Sequence, residues 1–262
     1  MATSPRRKTT RSVAQSTSLP TIAASTATKT LVSLTRLGNA SAATFARRFF
    51  KTGVGQYGTG DLFLGIKVPV LRAFVRDLKG AGIEVAVPLL KSGWHEARAV
   101  ALMLLVRQYE RGDDKAQKRV YDLYLKSTKF INNWDLVDMS AEHIVGGWLA
   151  DKPALRKQVL TRLAKSSSLW ERRIAILATF RYIKNGDVAE TLRIARLLLK
   201  DQEGLIQKAV GWMLREVGKR VSEREEESFL KRHYRDMPRT MLRYAIERFA
   251  EPKRKRYLAG LA

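Results

Sequence analysis

Among the 262 residues, the combination best suited to chemistry is the run Asn132-Asn133-Trp134-Asp135-Leu136-Val137-Asp138. It opens an apolar helical pattern with an aromatic and a carboxylate four residues apart. Residues so spaced share a helix face, so Trp134 and Asp138 point the same way. A fixed carboxylate beside an aromatic face can stabilise a developing cation, orient a water or hold a neighbouring cation. The setting makes the carboxylate conspicuous: 49 Lys+Arg against 25 Asp+Glu give a formal net charge of +24. Such a balance favours a polyanionic partner, with nucleic acid the first candidate.

Other chemistries find less support. With no cysteine there is no disulfide, thiolate metal ligand or cysteine nucleophile. His95, His143 and His233 are scattered without metal-ligand spacing, so neither a metal nor a cofactor is expected. No apolar run approaches the ~18–20 residues a membrane-spanning helix needs. The glycine-rich turn Gly53-Val54-Gly55-Gln56-Tyr57-Gly58-Thr59-Gly60 lacks a Lys-Ser/Thr at phosphate-loop spacing and a preceding strand. It reads as a flexible inter-helix loop rather than a phosphate cradle.

The elements that must carry Trp134 and Asp138 are helices. Residues 1–28, rich in Ser, Thr and Ala with an Arg6-Arg7-Lys8 cluster, read as a disordered basic arm. Phosphate contact, organelle targeting or no specific role all remain open for it. Residues 29–262 form the folded domain, beginning with an amphipathic helix over 31–51 and another opened by Pro69. From Trp94 onward apolar residues recur at three- and four-residue spacing, broken at Gly112-Asp113-Asp114, Asp151-Lys152-Pro153, Asn185-Gly186-Asp187, Ser222 and Met237-Pro238.

These helices repeat. Steps of 35 residues carry Asp138 to Arg173, Lys208 and Arg243, and a step of 40 back from Asp138 reaches Arg98. Each unit holds a second helical pattern, at 116–126, 152–165, 188–199 and 223–232. Two helices per ~35–40 residues is the period of HEAT-like repeats. The expected fold is therefore all-α, a curved α-solenoid with a concave basic groove. Equivalent faces of a solenoid line one surface, so Arg98, Asp138, Arg173, Lys208 and Arg243 should share it. Trp134 and Trp212, each four residues from a member of that column, join them. Trp94 and Trp170 are expected between repeats, and Trp148 between paired helices. Periodicity leaves two readings of Asp138 open: an ion pair with a neighbour, or a chemical task.

The segments Phe63-Leu64-Gly65-Ile66-Lys67-Val68-Pro69 with Leu71-Arg72, Asn133-Trp134-Asp135-Leu136-Val137-Asp138, Leu169-Trp170-Glu171-Arg172-Arg173-Ile174-Ala175-Ile176-Leu177 and Ile206-Gln207-Lys208-Ala209-Val210-Gly211-Trp212-Met213-Leu214-Arg215-Glu216 bear a family likeness. In that order the chain resembles the AlkD-like DNA alkylation repair proteins, HEAT-like-repeat DNA glycosylases, over roughly residues 40–250. The resemblance implies a monofunctional hydrolase acting on cationic N3- or N7-alkylated purines in double-stranded DNA, without insertion of the base into a pocket. It implies Asp138 as the catalytic carboxylate, Trp134 and Trp212 flanking the lesion nucleotide, and Arg173 on the DNA backbone. Lys208, Arg98 and Arg243 complete the expected DNA surface. The chain departs from some members at Asn133, where they carry a second aromatic. A monomer without membrane partner is expected, cytoplasmic and nucleoid-associated in a bacterium. A non-catalytic binder of distorted or branched DNA, and a protein–protein scaffold, are the alternatives.

Overall fold

Alternation between buried apolar faces and short capped turns produces a chain of helices. The computed structural model describes the backbone over residues 19–262 and side chains from residue 26. The first helices are α1 (Leu19–Thr35), α2 (Ala40–Phe49), α3 (Val68–Asp77) and α4 (Ile83–Leu90). Then come α5 (His95–Arg111), α6 (Asp114–Lys126), α7 (Trp134–Asp138), α8 (Gly147–Leu149) and α9 (Pro153–Ala164). The C-terminal part comprises α10 (Leu169–Ala178), α11 (Phe180–Lys184), α12 (Ala189–Leu197), α13 (Gly204–Arg220), α14 (Glu223–His233), α15 (Arg239–Ala245) and α16 (Glu251–Ala259). Among the described residues the only β pairing is an isolated parallel bridge between Leu62 and Trp94. No helix among them is long and apolar enough to cross a membrane.

The local signals explain the boundaries. Side chains of Asn39, Asp113, Asn133, Ser168 and Ser222 each accept a hydrogen bond from a first-turn N–H of the following helix. Such caps contribute ~1 kcal/mol apiece. On α14 the first turn is acidic and the last turn basic, matching the helix dipole.

The 35-residue lattice is realised in the packing. Helices α5, α7, α10, α13 and α15 pack against one another in that order, and they carry Arg98, Asp138, Arg173, Lys208 and Arg243 respectively. The second helices form another layer, with α9 against both α10 and α12, and α14 against α13. This is an α-solenoid of helical pairs. One continuous cluster of buried side chains runs through it, from Ala27 on α1 to Tyr257 on α16.

Three expectations change. The helix over 31–51 is two helices, because Asn39 caps α2 through Ala42 N–H and donates its own N–H to Leu64 O at 2.8 Å. Helix α1 begins at Leu19, inside the stretch expected to be a disordered arm; residues 1–18 of that arm lie outside the described residues. The helix opened by Trp134 is interrupted after Asp138. Ser140 Oγ donates back to Leu136 O at 2.6 Å, a bond that competes with the helical ladder, and a π-helical turn, Glu142–Gly146, follows.

Close approach between repeats depends on a small residue where α13 meets α15. A Cβ on Gly211 would lie 2.4 Å from Met241 O and 2.6 Å from Tyr244 Cβ. The helix propensity gained by alanine, ~1 kcal/mol, is smaller than the cost of forcing two backbones apart. We expect Gly211→Ala to lower stability by about 1–2 kcal/mol in urea unfolding; an increase would contradict this packing.

Candidate active site

The site rests on charged groups removed from water beneath it. His95, at the start of α5, bonds Asp135 Oδ2 through Nε2 at 2.7 Å, and its Nδ1 lies 3.5 Å from Asp61 Oδ2. Arg98, one turn along α5, forms an ion pair with Asp61 Oδ1 at 2.8 Å and donates to Asn132 Oδ1 at 2.6 Å. Burial alone would push the His95 imidazole down, but donation to Asp135, the nearby Asp61 carboxylate and the charge of Asp135 raise its pKa to about 9. Two carboxylates then face two cations. The His95 ring stacks on Phe63 at 4.6 Å, Phe63 on Phe50 at 5.0 Å, and Phe50 on Trp134 at 5.4 Å. Nearby, Glu96 accepts the N–H groups of Leu64, Gly65 and Ile66, fixing the Phe63–Pro69 segment. Gly65 sits there at φ 79°, and a Cβ on it would strike Asn39 O at 2.3 Å.

Above this base lies a pocket of about 380 Å³. Asp138 and Arg173 form its floor: Arg173 Nε donates to Asp138 Oδ1 at 2.8 Å and Nη2 to Oδ2 at 2.7 Å. Arg173 Nη1 donates to Leu205 O at 2.6 Å, so the guanidinium ties α7 to the start of α13. Burial pushes the Asp138 carboxyl above its ordinary range, against the hydrogen bonds and charge of Arg173. The carboxylate uses two of about four acceptor sites on Arg173, and its side chain remains 19% exposed. The aromatic walls are Phe49, Tyr57, Trp134, Trp212 and Tyr244, and the other cations are Lys51, Lys208 and Arg215. Among the described residues that line the pocket, Asp138 is the one acid. Trp212 is set by its Nε1–H donating to Glu216 Oε1 at 3.2 Å, and Trp134 by stacking on Phe50 and an edge contact with Phe49.

The expected site residues separate into two sets. Trp134, Asp138, Arg173, Lys208 and Trp212 meet in this one pocket. Arg98 does not join a cationic surface; it is buried, turned inward by its pair with Asp61. Arg243 is exposed on α15, and its neighbour Tyr244 reaches the pocket instead. Phe49, Lys51, Tyr57, Arg215 and Tyr244 were not singled out from sequence. The glycine-rich turn carries Tyr57 to within 6.0 Å of Trp170, and is braced internally by Thr59 Oγ1 donating to Gly53 O and Gln56 O at 2.6 Å. Trp148, expected between paired helices, packs against Tyr121 of α6, the second helix of the preceding pair. Among the described residues no group of three or more His, Cys, Asp or Glu could hold a metal ion.

Comparison with known proteins gives a coherent picture. A family profile described as DNA alkylation repair enzyme matches residues 30–249. A solved structure titled "Predicted DNA alkylation repair enzyme from Enterococcus faecalis" is 18% identical, with a TM-score of 0.64 over 82% of this chain and 97% of that one. At that identity the likeness shows the fold alone. A comparison with curated proteins found no match.

The His95 cluster makes a prediction about stability. A group raised from 6.5 to about 9 in the folded state stabilises fully below pH ~6.5 and loses that contribution as pH rises through about 9. The loss should be about 3 kcal/mol, read by urea unfolding between pH 6 and 10. His95→Gln should be less stable at pH 6 and lack this fall; an equal fall in the variant would remove His95 as its cause.

Proposed function

The chain belongs to the DNA alkylation repair enzyme family, and from that premise we propose that it is a monofunctional DNA glycosylase for cationic N3- or N7-alkylated purines in duplex DNA. The observation that carries this reading is a single carboxylate, Asp138, set among aromatic walls and cations.

An alkylated purine with a positive charge is already a good leaving group. As its C1′–N bond breaks, the electron pair leaves with the purine and cancels that charge. Oxocarbenium character develops on the deoxyribose. A carboxylate held at C1′ stabilises it, and can orient the attacking water and take its proton as the C1′–O bond forms. The reaction so written uses neither metal nor cofactor. Trp134 and Trp212 flank the sugar and base, adding cation–π attraction of about 0.5–2 kcal/mol. Lys51 and Lys208 line the pocket but are exposed, without the desolvation that activates a lysine nucleophile. No lyase step is proposed.

The cations fall into two roles. Lys51, Lys208 and Arg243 are exposed and form no ion pair among the described residues, which suits them to DNA phosphates along a basic groove. Arg173 is buried and committed to Asp138 and Leu205. Its geometry supports positioning of the carboxylate rather than direct phosphate contact. The same bidentate pair favours one rival reading, a non-catalytic module that binds distorted DNA and keeps Asp138 purely as a structural partner of Arg173.

Base release decides between them. Wild-type protein should liberate 3-methyladenine or 7-methylguanine from methylated duplex DNA. Asp138→Asn should bind DNA normally and slow release by ~10²–10³-fold. Absence of release by wild type, under conditions where DNA is bound, would favour the binder, and equal release by both proteins would remove Asp138 from the chemistry. In binding titrations Lys208→Ala should reduce the salt slope by about one ion, whereas Arg173→Lys should leave it unchanged; the opposite pattern would return Arg173 to the phosphate contacts.

A further inference from the structure

At the rim of the pocket, helix α2 extends an aromatic surface beyond the Asp138 site. Phe45 and Phe49 lie one turn apart, 69% and 54% exposed, with their rings nearly parallel (15°) and their centroids 6.1 Å apart. Phe49 is also a pocket wall and meets Trp134 edge-on at 6.0 Å. An aromatic path therefore runs from the Asp138 pocket through Trp134 and Phe49 to Phe45. Two large apolar side chains on one short helix are costly to leave in water unless something covers them.

The charges around them say what does. Arg47, Arg48 and Lys51 are exposed on the same helix or just after it, and α2 carries no acidic residue. Among the described residues none of the three makes an ion pair, although many other surface cations do. A protein partner would be expected to offer mixed charge. A strand of DNA offers phosphates for the three cations and flat π-faces for the rings, the combination by which aromatic and basic residues hold unstacked bases.

We propose that the Phe45–Phe49 pair is a stacking step for the nucleobase opposite the lesion, which loses its partner when the alkylated nucleotide is drawn toward Asp138. This deepens the reading above and rests on duplex DNA being the partner. The step gives the enzyme a preference for duplexes that already hold an unpaired base. That preference is distinct from catalysis, since Phe45 does not line the Asp138 pocket, and it needs no base-binding cavity for the lesion itself. Arg47, Arg48 and Lys51 anchor the flanking phosphates, which fixes where the base meets the rings.

The test uses DNA that cannot be turned over, so that a failure of the glycosylase reading does not enter. Full-length protein is titrated with an intact duplex and with one carrying a tetrahydrofuran abasic analogue opposite 5-iodouracil. Wild type should prefer the abasic duplex. Phe45→Ala should cut that preference about tenfold or more while leaving the affinity and salt slope for intact duplex unchanged. Phe45→Tyr should keep the preference, and a thermal melt should confirm that the exposed substitution leaves the fold intact. On irradiation, 5-iodouracil should cross-link to Phe45 or Phe49, located by mass spectrometry. The proposal is overturned if Phe45→Ala keeps the preference or weakens both duplexes equally, and also if the cross-link falls on residues outside α2.

Discussion

Four ionisable side chains, Asp61, His95, Arg98 and Asp135, lie largely out of water where α5 meets α7. Each can stay there only because the others neutralise it; an unpaired charge in that place would cost several kcal/mol. The pairing has geometric consequences. Asp135 is fixed by His95, while Asn132 and Asn133 are drawn toward Asp61. The short helix α7 therefore begins at one place and in one orientation. Trp134 and Asp138 inherit that orientation, and the stack of Phe63, Phe50 and Trp134 on the His95 ring carries it up to the pocket wall.

A second buried pair, Asp138 with Arg173, uses the same physics for another purpose. Taking both charges out of water is expensive, and apolar residues of similar size would often serve stability as well. What the pair supplies is a carboxylate whose position does not relax. Electrostatic stabilisation of a developing cation is largest when the stabilising group is already in place and water is excluded. Fixing Asp138 from one side leaves its other acceptor sites toward the pocket, between Trp134 and Trp212.

Much of this was legible in the sequence because helical repeats convert position into geometry. The 35-residue steps placed Asp138, Arg173 and Lys208 on helices that pack in that order, and four-residue spacing added Trp134 and Trp212 to the same pocket. A lattice specifies which helix face a residue occupies, not which partner waits beneath it. Arg98 occupies the expected position yet bends to Asp61, a residue in a distant loop that periodicity does not see. Tyr57 was missed for a similar reason, since a glycine-rich loop has no period to reveal that it folds back over the site. The division of 31–51 into two helices did have a local signal. Leu37-Gly38-Asn39 carries a glycine followed by a capping asparagine, and that turn chemistry outweighed the continuous amphipathic pattern.

The central claim is that Asp138 works as a carboxylate kept ionised by Arg173. The pH dependence of single-turnover base release from methylated duplex, below neutrality and at saturating enzyme, tests it most directly. Burial sets the Asp138 pKa above the ordinary range, so the wild-type rate should fall as pH drops through a limb above that range. Arg173→Gln should move the limb upward, because the carboxylate loses its partner. A rate independent of pH through this region, or a limb that does not move in the variant, would contradict the account.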